Sequence, residues 1–217
     1  MISRKFACIL AACAALTLSG CASFRNNEIA EVGKLPDVSG YAQKPSVFVD
    51  THFFRGEPGK AQLEILPIKD KMNETIGRTL NESALFSKYS FDEKDRTGSD
   101  YVIRLDIYNH GNEGLAAVAG FISGLTFTVI PAAATDNYTL EAKLMNSAGT
   151  LINTSTNKDS ITTWIGIVFL PMIAASPEKA MHGTLENQLK LVLKELVESG
   201  KLKYTHLQRL QLRSLAG

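Results

Sequence analysis

The sequence predicts an α+β fold: a mostly antiparallel sheet with two amphipathic helices on one face, plus two inserted apolar segments. Three observations carry this expectation. Ser46–Phe54, Asp100–Asn109 and Tyr138–Met145 are rich in β-formers, and the last two alternate apolar and polar residues as half-buried strands do. Ile68–Phe86 and Glu178–Ser199 instead repeat apolar residues at helical spacing. The order is strand, helix, several strands, helix, and two helices laid on one sheet face bury both apolar stripes most simply.

The chain opens with a leader at residues 1–20. Arg4 and Lys5 give a positive start, Phe6–Leu18 carries no charge, and small Ser19 and Gly20 precede Cys21. This three-part pattern is that of a secretory signal peptide. Its apolar run is shorter than the ~20 residues of a spanning helix. Leu18-Ser19-Gly20-Cys21 resembles the lipobox of bacterial lipoproteins. The resemblance implies cleavage before Cys21 and acyl chains on the Cys21 thiol and amine. Ala22 and Ser23 follow, with no Asp next to the cysteine. In that family this implies sorting to the outer membrane, with the protein lipid-anchored there and facing the periplasm. Each buried methylene contributes roughly 0.8 kcal/mol, so more than one chain gives a durable anchor. The competing reading is an ordinary leader cut after another small residue.

Cysteine usage follows from this reading. Cys8 and Cys13 leave with the leader and Cys21 is acylated. No thiol then remains for a disulfide, for nucleophilic catalysis or for a thiolate zinc site. Loss of Arg4 and Lys5 lowers Lys+Arg from 23 to 21 against 22 acidic residues, so the net charge moves from +1 to −1. That balance gives no argument for a nucleic-acid partner.

Residues 21–45 read as lipidated Cys21 followed by a polar tether, with Asn26, Asn27, Pro36, Gly40 and Pro45 and no periodicity. The alternative is an ordered arm packed on the domain. A single α/β domain is expected over 46–200. Ser46–Phe54 reads as an interior strand, and Arg55-Gly56-Glu57-Pro58-Gly59 breaks it. In the first helix Ile68, Met72, Ile76, Leu80 and Ala84 form the buried stripe, with Pro67 at a first helical position. Tyr89–Asp92 reads as a short strand. In Asp100–Asn109, Tyr101, Ile103, Leu105 and Ile107 share one face. Tyr138–Met145 turns at Asn146-Ser147-Ala148-Gly149 and returns as Thr150–Lys158, a polar candidate edge strand. In the second helix Ser176 is the N-cap, Pro177 the first residue, and Gly200 the stop. Met181, Leu185, Leu189, Val192 and Leu196 form its stripe.

With its leader, this arrangement resembles small α/β lipoprotein domains related to the N-terminal domain of TolB, to penicillin-binding-protein activator lipoproteins and to the curli secretion lipoprotein. The resembling stretches are Ser46–Phe54, Ile68–Phe86, Asp100–Asn109 and Tyr138–Ser199. The resemblance brings no active-site residue with it.

Leu115–Thr135 and Ser160–Pro177 contain no charged residue and flank the hairpin. Three readings stay open. Both are buried strands of the domain, with Thr126–Ile130 and Thr163–Leu170 ending at prolines. Or they form an exposed apolar surface for a bilayer or a partner protein. Or they insert through the membrane, as helices, with Leu115–Thr135 long enough for one span but interrupted by Gly120, Gly124 and Pro131, or as hairpins of an oligomeric pore, as the curli-type resemblance implies. Against insertion, a barrel strand alternates apolar and polar residues, and these segments are apolar on both faces.

No catalytic, cofactor or metal site is expected. His52, His110, His182 and His206 are widely spaced and match no metal pattern. No nucleophile elbow or phosphate-binding glycine loop is present. Asp50 and His52 share a strand face, with Asp106 on a candidate neighbour. Such a set is more commonly a hydrogen-bonded surface than a site. Residues 201–217 form a basic tail, with Lys201, Lys203, Arg209 and Arg213 among leucines. It suits an anionic lipid or polymer surface, or packs loosely on the domain. The expectation is therefore an outer-membrane lipoprotein without enzymatic activity, an accessory or assembly factor with an envelope protein partner. The alternative is an oligomeric pore or secretion component using segments 115–135 and 160–177.

Overall fold

The computed structural model describes residues 20–111, 129–172 and 174–206. Nine strands and two α-helices follow one another. They are β1 (Gly20–Arg25), β2 (Tyr41–Gln43), β3 (Ser46–Arg55), β4 (Leu63–Glu64), α1 (Lys69–Ser83) and β5 (Lys88–Ser90). Then come β6 (Tyr101–Gly111), β7 (Ala132–Asn146), β8 (Leu151–Gly166), α2 (Pro177–Glu198) and β9 (Thr205–His206). Short 3-10 turns occupy Leu66–Ile68, Glu93–Asp95 and Ile167–Met172.

The fold is α+β, as expected, and its sheet is mixed, with parallel pairs beside antiparallel ones. β3 pairs antiparallel with β4 and parallel with β5 and β6. The reason is topological. After β4 the chain crosses through α1 before β5 and β6 form, and a crossover of that length delivers parallel neighbours to β3. The strand order is β1-β8-β7-β6-β3-β4, with β5 also on β3, and β2 and β9 form a separate pair.

The chain divides into two compact units. The first contains the described residues up to Asn27, those of His110–Asn137, and Asp159–Thr184. The second contains Glu28–Asn109, Tyr138–Lys158 and the described residues from Leu185 onward.

The second unit holds most of the core. Val47, Val49 and Phe53 on β3 and Ile103, Leu105 and Ile107 on β6 are buried. α1 packs on β3, burying Met72, Ile76 and Leu80, and the Thr51 hydroxyl donates to Asn73 Oδ1 at 2.8 Å. On α2 the buried stripe is Leu185, Leu189, Val192, Leu193 and Leu196, a helical repeat. Gly200 ends it at φ 64°, with Lys201 N–H donating to the Leu196 carbonyl at 3.2 Å.

Part of the polar stretch expected as a tether is built into this unit. Val38 is buried, and β2 pairs with β9. Buried Asn187 on α2 explains the order: its Oδ1 accepts from Val32 N–H at 2.8 Å, and its Nδ2 donates to the Ile29 and Ala30 carbonyls. One polar side chain thus satisfies a backbone that has no apolar periodicity to announce it.

The first unit is organised on β1, which pairs antiparallel with β8 from Gly20↔Gly166 to Arg25↔Ile161. Ala22 is fully buried. The Ser23 and Thr163 hydroxyls bond at 2.7 Å, and Ser23 N–H donates to the Ala175 carbonyl at 2.7 Å. β8 runs beyond the polar stretch Thr150–Lys158 that was read as a candidate edge strand, and β1 covers it over Ile161–Gly166. The helical start matches expectation, with the Ser176 hydroxyl accepting from Lys179 N–H at 3.2 Å ahead of Pro177. Residues 1–19, 112–128 and 207–217 lie outside the described residues. These include most of the leader, most of 115–135, and Arg209 and Arg213 of the tail.

Candidate functional site

Cys21 is the second residue of β1, and its thiol is free and exposed. Opposite it in register is Ile165, and opposite Ala22 is Trp164. β1 packs against the turn Ile167–Met172. The contact is closest at Gly20, where a β-carbon would lie 2.5 Å from the Leu170 nitrogen and 2.6 Å from the Phe169 carbonyl carbon. Only glycine lets the backbone come this near. The Gly20–Cys21 bond therefore lies beside an apolar turn.

That turn belongs to a larger apolar surface. Phe24, Val129, Ile130, Trp164, Ile167, Val168 and Met172 all lie in the first unit and are exposed, Trp164 to 38% and Val168 to 57%. Leu63, Leu66 and Leu151 are the comparable side chains of the second unit's described residues. Trp164 and Phe169 touch, with ring centroids 5.7 Å apart. On the neighbouring strands β7 and β8, the Thr135 and Thr162 hydroxyls meet at 2.9 Å. The two strands are joined by a short turn, so Ile130 and Ile167 lie beyond that pair toward the same end of the hairpin. The second apolar segment thus divides in two. Ser160, Ile161 and Gly166 are buried in the sheet, whereas Ile167, Val168 and Met172 face outward. Thr163–Leu170, expected as one buried strand, leaves the strand conformation after Gly166. No described helix is long and apolar enough to cross a membrane.

The second unit brings together Asp50 and His52. His52 lies between two carboxylates: Nε2 is 3.0 Å from Asp50 Oδ1, and Nδ1 is 2.8 Å from Glu64 Oε1 on β4. Both ring nitrogens are engaged, so neither is left to take a proton from a substrate. Asp106 stands opposite His52 in register, but its buried carboxylate accepts from Arg104 Nε at 3.0 Å and from Lys143 Nζ at 3.4 Å. Beside them Phe54 stacks on His52 and on Tyr108. Burial, and then the charges of Asp106 and Glu141, push the Tyr108 hydroxyl above its ordinary pKa, with Arg104 opposing them. The arrangement is a sheet face tied together by ion pairs and ring stacking.

His182 approaches Glu178 at 3.7 Å on α2, His110 is on β6 and His206 on β9. Among the described residues no group of three or more His, Cys, Asp or Glu is arranged to hold a metal ion. Two open clefts, of about 400 and 640 Å³, lie in the second unit and contain no histidine. Lys201 and Lys203 of the tail line the larger one, near Asp100 and Tyr101. Buried in this unit beside Tyr41 and Tyr101, the Tyr204 hydroxyl is pushed up to about 12, chiefly by burial.

Sequence reasoning missed β1 as a strand and Glu64 as the partner of His52. The alternation of Ala22 and Phe24 with Ser23 and Arg25 was the available signal for β1. Glu64 lies in a two-residue strand, too short to carry a pattern.

No family model matches the chain, and no curated protein matches it. Among solved structures, it is similar to a minor lipoprotein from Acinetobacter baumannii, at 11% identity and TM-score 0.38, over 74% of this chain and 98% of that one. It is also similar to a homolog of a neuraminyllactose-binding hemagglutinin from Helicobacter pylori, at 12% identity and TM-score 0.44, over 76% and 87%. A third is the PelC dodecamer from Paraburkholderia phytofirmans, at 9% identity and TM-score 0.34, over 81% and 97%. At these scores the likenesses assign the chain no function.

Proposed function

We propose that the chain is a lipid-anchored envelope protein, held in the outer membrane by acyl chains on Cys21 and facing the periplasm. It acts there as an accessory or assembly protein toward another envelope protein, without catalysis of its own. The observation that carries this reading is Leu18-Ser19-Gly20-Cys21 behind a charged and then apolar leader. Exposure of the Cys21 thiol at the start of a strand supports it, since a modifying enzyme needs access to that sulfur.

The test is fractionation with metabolic lipid labelling. The wild-type chain should take up labelled fatty acid and sediment with outer membranes. A Cys21→Ser chain, carried behind a leader that ordinary signal peptidase removes, should take up no label and appear in the soluble periplasm. Sedimentation of the Ser variant to the wild-type extent in high salt would sink the lipid anchor.

The long hairpin favours one alternative. β7 and β8 run 15 and 16 residues, more than the 9–11 that cross a hydrocarbon core. In that reading copies assemble and segments 115–135 and 160–177 enter the membrane as a pore. Detergent-resistant assemblies with conductance in planar bilayers would support it, and a strict monomer in mild detergent would remove it.

A further inference from the structure

We propose that the exposed apolar surface around Trp164 and Ile167–Met172 lies in the interfacial layer of the bilayer that takes up the Cys21 acyl chains. The inference rests on acylation of Cys21 and goes beyond it. The acyl chains then fix how the first unit meets the membrane as well as holding it there.

Chemistry at the new N-terminus places the lipid. Cleavage removes Gly20, and an acyl group on the Cys21 amine forms an amide where the Gly20–Cys21 peptide bond was. Its carbonyl takes the place of the Gly20 carbonyl, and its next carbon takes the place of the Gly20 α-carbon. That place lies against the backbone of Phe169 and Leu170, as the 2.5 Å approach at Gly20 shows. The amide-linked chain therefore starts beside the Ile167–Met172 turn. The thiol-linked chains start one residue along the strand from the Ala22↔Trp164 pair, on the other sheet face, where Cys21 is paired with Ile165. Paired residues across an antiparallel ladder are about 4.5–5.5 Å apart. No spacer separates lipid from strand, because residues Gly20–Arg25 are in the sheet and Ala22 is buried. A surface starting one residue from the acylation point is held at headgroup depth.

The composition of that surface suits this depth. Ser160–Pro177 contains no charged residue, so no ion is desolvated as the surface enters the interface. Its exposed members are one tryptophan and aliphatic side chains, with threonine beside them. Tryptophan is enriched at membrane interfaces because its ring is apolar and its N–H is polar. A soluble partner would need this surface clear of the bilayer, and acyl chains attached beside it keep it against the bilayer. A second copy would face the same obstacle.

Trp164 is the only tryptophan in the chain, so its fluorescence reports the surface directly. The full chain, processed and acylated in cells, would be purified and reconstituted into vesicles of phosphatidylethanolamine and phosphatidylglycerol. Flotation reports the anchor. Lipids brominated near the top of the acyl chain, and aqueous iodide, report Trp164. The expected result is flotation, about a twofold loss of emission with brominated lipid, and protection from iodide. Val168→Asp puts a carboxylate at an exposed position of the surface. It should still float while the loss of emission with brominated lipid shrinks. Flotation with Trp164 open to iodide and untouched by brominated lipid would overturn the docking and leave the anchor standing. Protection from iodide without quenching by brominated lipid would mean that a second copy covers the surface, and would also overturn it. Failure to float would overturn the anchor, and the docking with it.

Discussion

Ala84 closes α1 in the left-handed region at φ 51°, with its N–H donating to the Asn81 carbonyl at 3.2 Å. A β-carbon in that conformation costs roughly 1–2 kcal/mol. The Ala84 side chain is exposed and gains little packing in return. Glycine removes the clash but gives the unfolded chain more freedom, which offsets roughly 0.5–1 kcal/mol. Ala84→Gly should therefore raise the unfolding free energy by about 0.5–1 kcal/mol, read as a later midpoint in urea at unchanged slope. An earlier midpoint would show that the methyl group packs after all. The helical period makes Ala84 a stripe residue in the sequence, continuing Met72, Ile76 and Leu80. The structure instead makes it the cap, because the period says which face a residue is on and says nothing about where the helix stops.

At the scale of elements, β3 and β6 pair in parallel, and one clamp lies where the pair begins. The Asp100 carboxylate accepts from Ser46 N–H and from the Ser46 hydroxyl, each at 2.7 Å, where the two strands start. These two bonds, backbone first, hold the Asp100 carboxyl below its ordinary value of 3.8 against a smaller opposing effect of burial. A folded value lowered in this way contributes stability above 3.8, and the contribution is lost as pH falls through the folded value. Asp100→Asn should cost about 1 kcal/mol at neutral pH, the low end for a charge-assisted bond because solvent screens it. The gap between variant and wild type should close below pH 3.8. Urea titrations at neutral and strongly acidic pH check this, and a gap that does not change with pH would refute it. The clamp was not legible in the sequence, where Asp100 and Ser46 are far apart and both read as strand ends. The strands themselves were legible, since Val47, Val49, Ile103 and Leu105 need only β-formers and period. Parallel pairing depends on where the chain returns after α1, and no local pattern records that. The hairpin was legible at its turn, where Asn146 Oδ1 accepts from Ala148 and Thr150 N–H. It was not legible in length, because Ser160–Gly166 is uncharged but mixes hydroxyl and apolar residues without a clear period, which leaves it ambiguous between strand and buried segment.

For the molecule as a whole, charge and lipid make opposite demands that an experiment can separate. Cleavage before Cys21 would remove Arg4 and Lys5 and leave a net charge of −1, from 21 basic and 22 acidic residues. Its basic groups are unevenly placed: no acidic residue follows Glu198, while Lys201, Lys203, Arg209 and Arg213 do. From the sequence that tail reads more readily as packing on the domain than as a lipid-facing segment, and its described residues do pack. Leu202 is buried and β9 pairs with β2, so the tail's first residues serve the second unit. Lys201 and Lys203 stay exposed. Each lysine or arginine near an anionic surface contributes about 1 kcal/mol, and screening at 1 M salt, with a Debye length of about 3 Å, removes most of that. Acyl chains behave in the opposite way. Their contribution is apolar, roughly 0.8 kcal/mol per methylene, and salt does not weaken it. If Cys21 carries the attachment, washing membranes with 1 M salt should leave the bound fraction unchanged, and mild detergent should release all of it. Release by salt alone would assign the attachment to the basic tail, and an apolar surface around Trp164 would then have no lipid anchor to hold it against the bilayer.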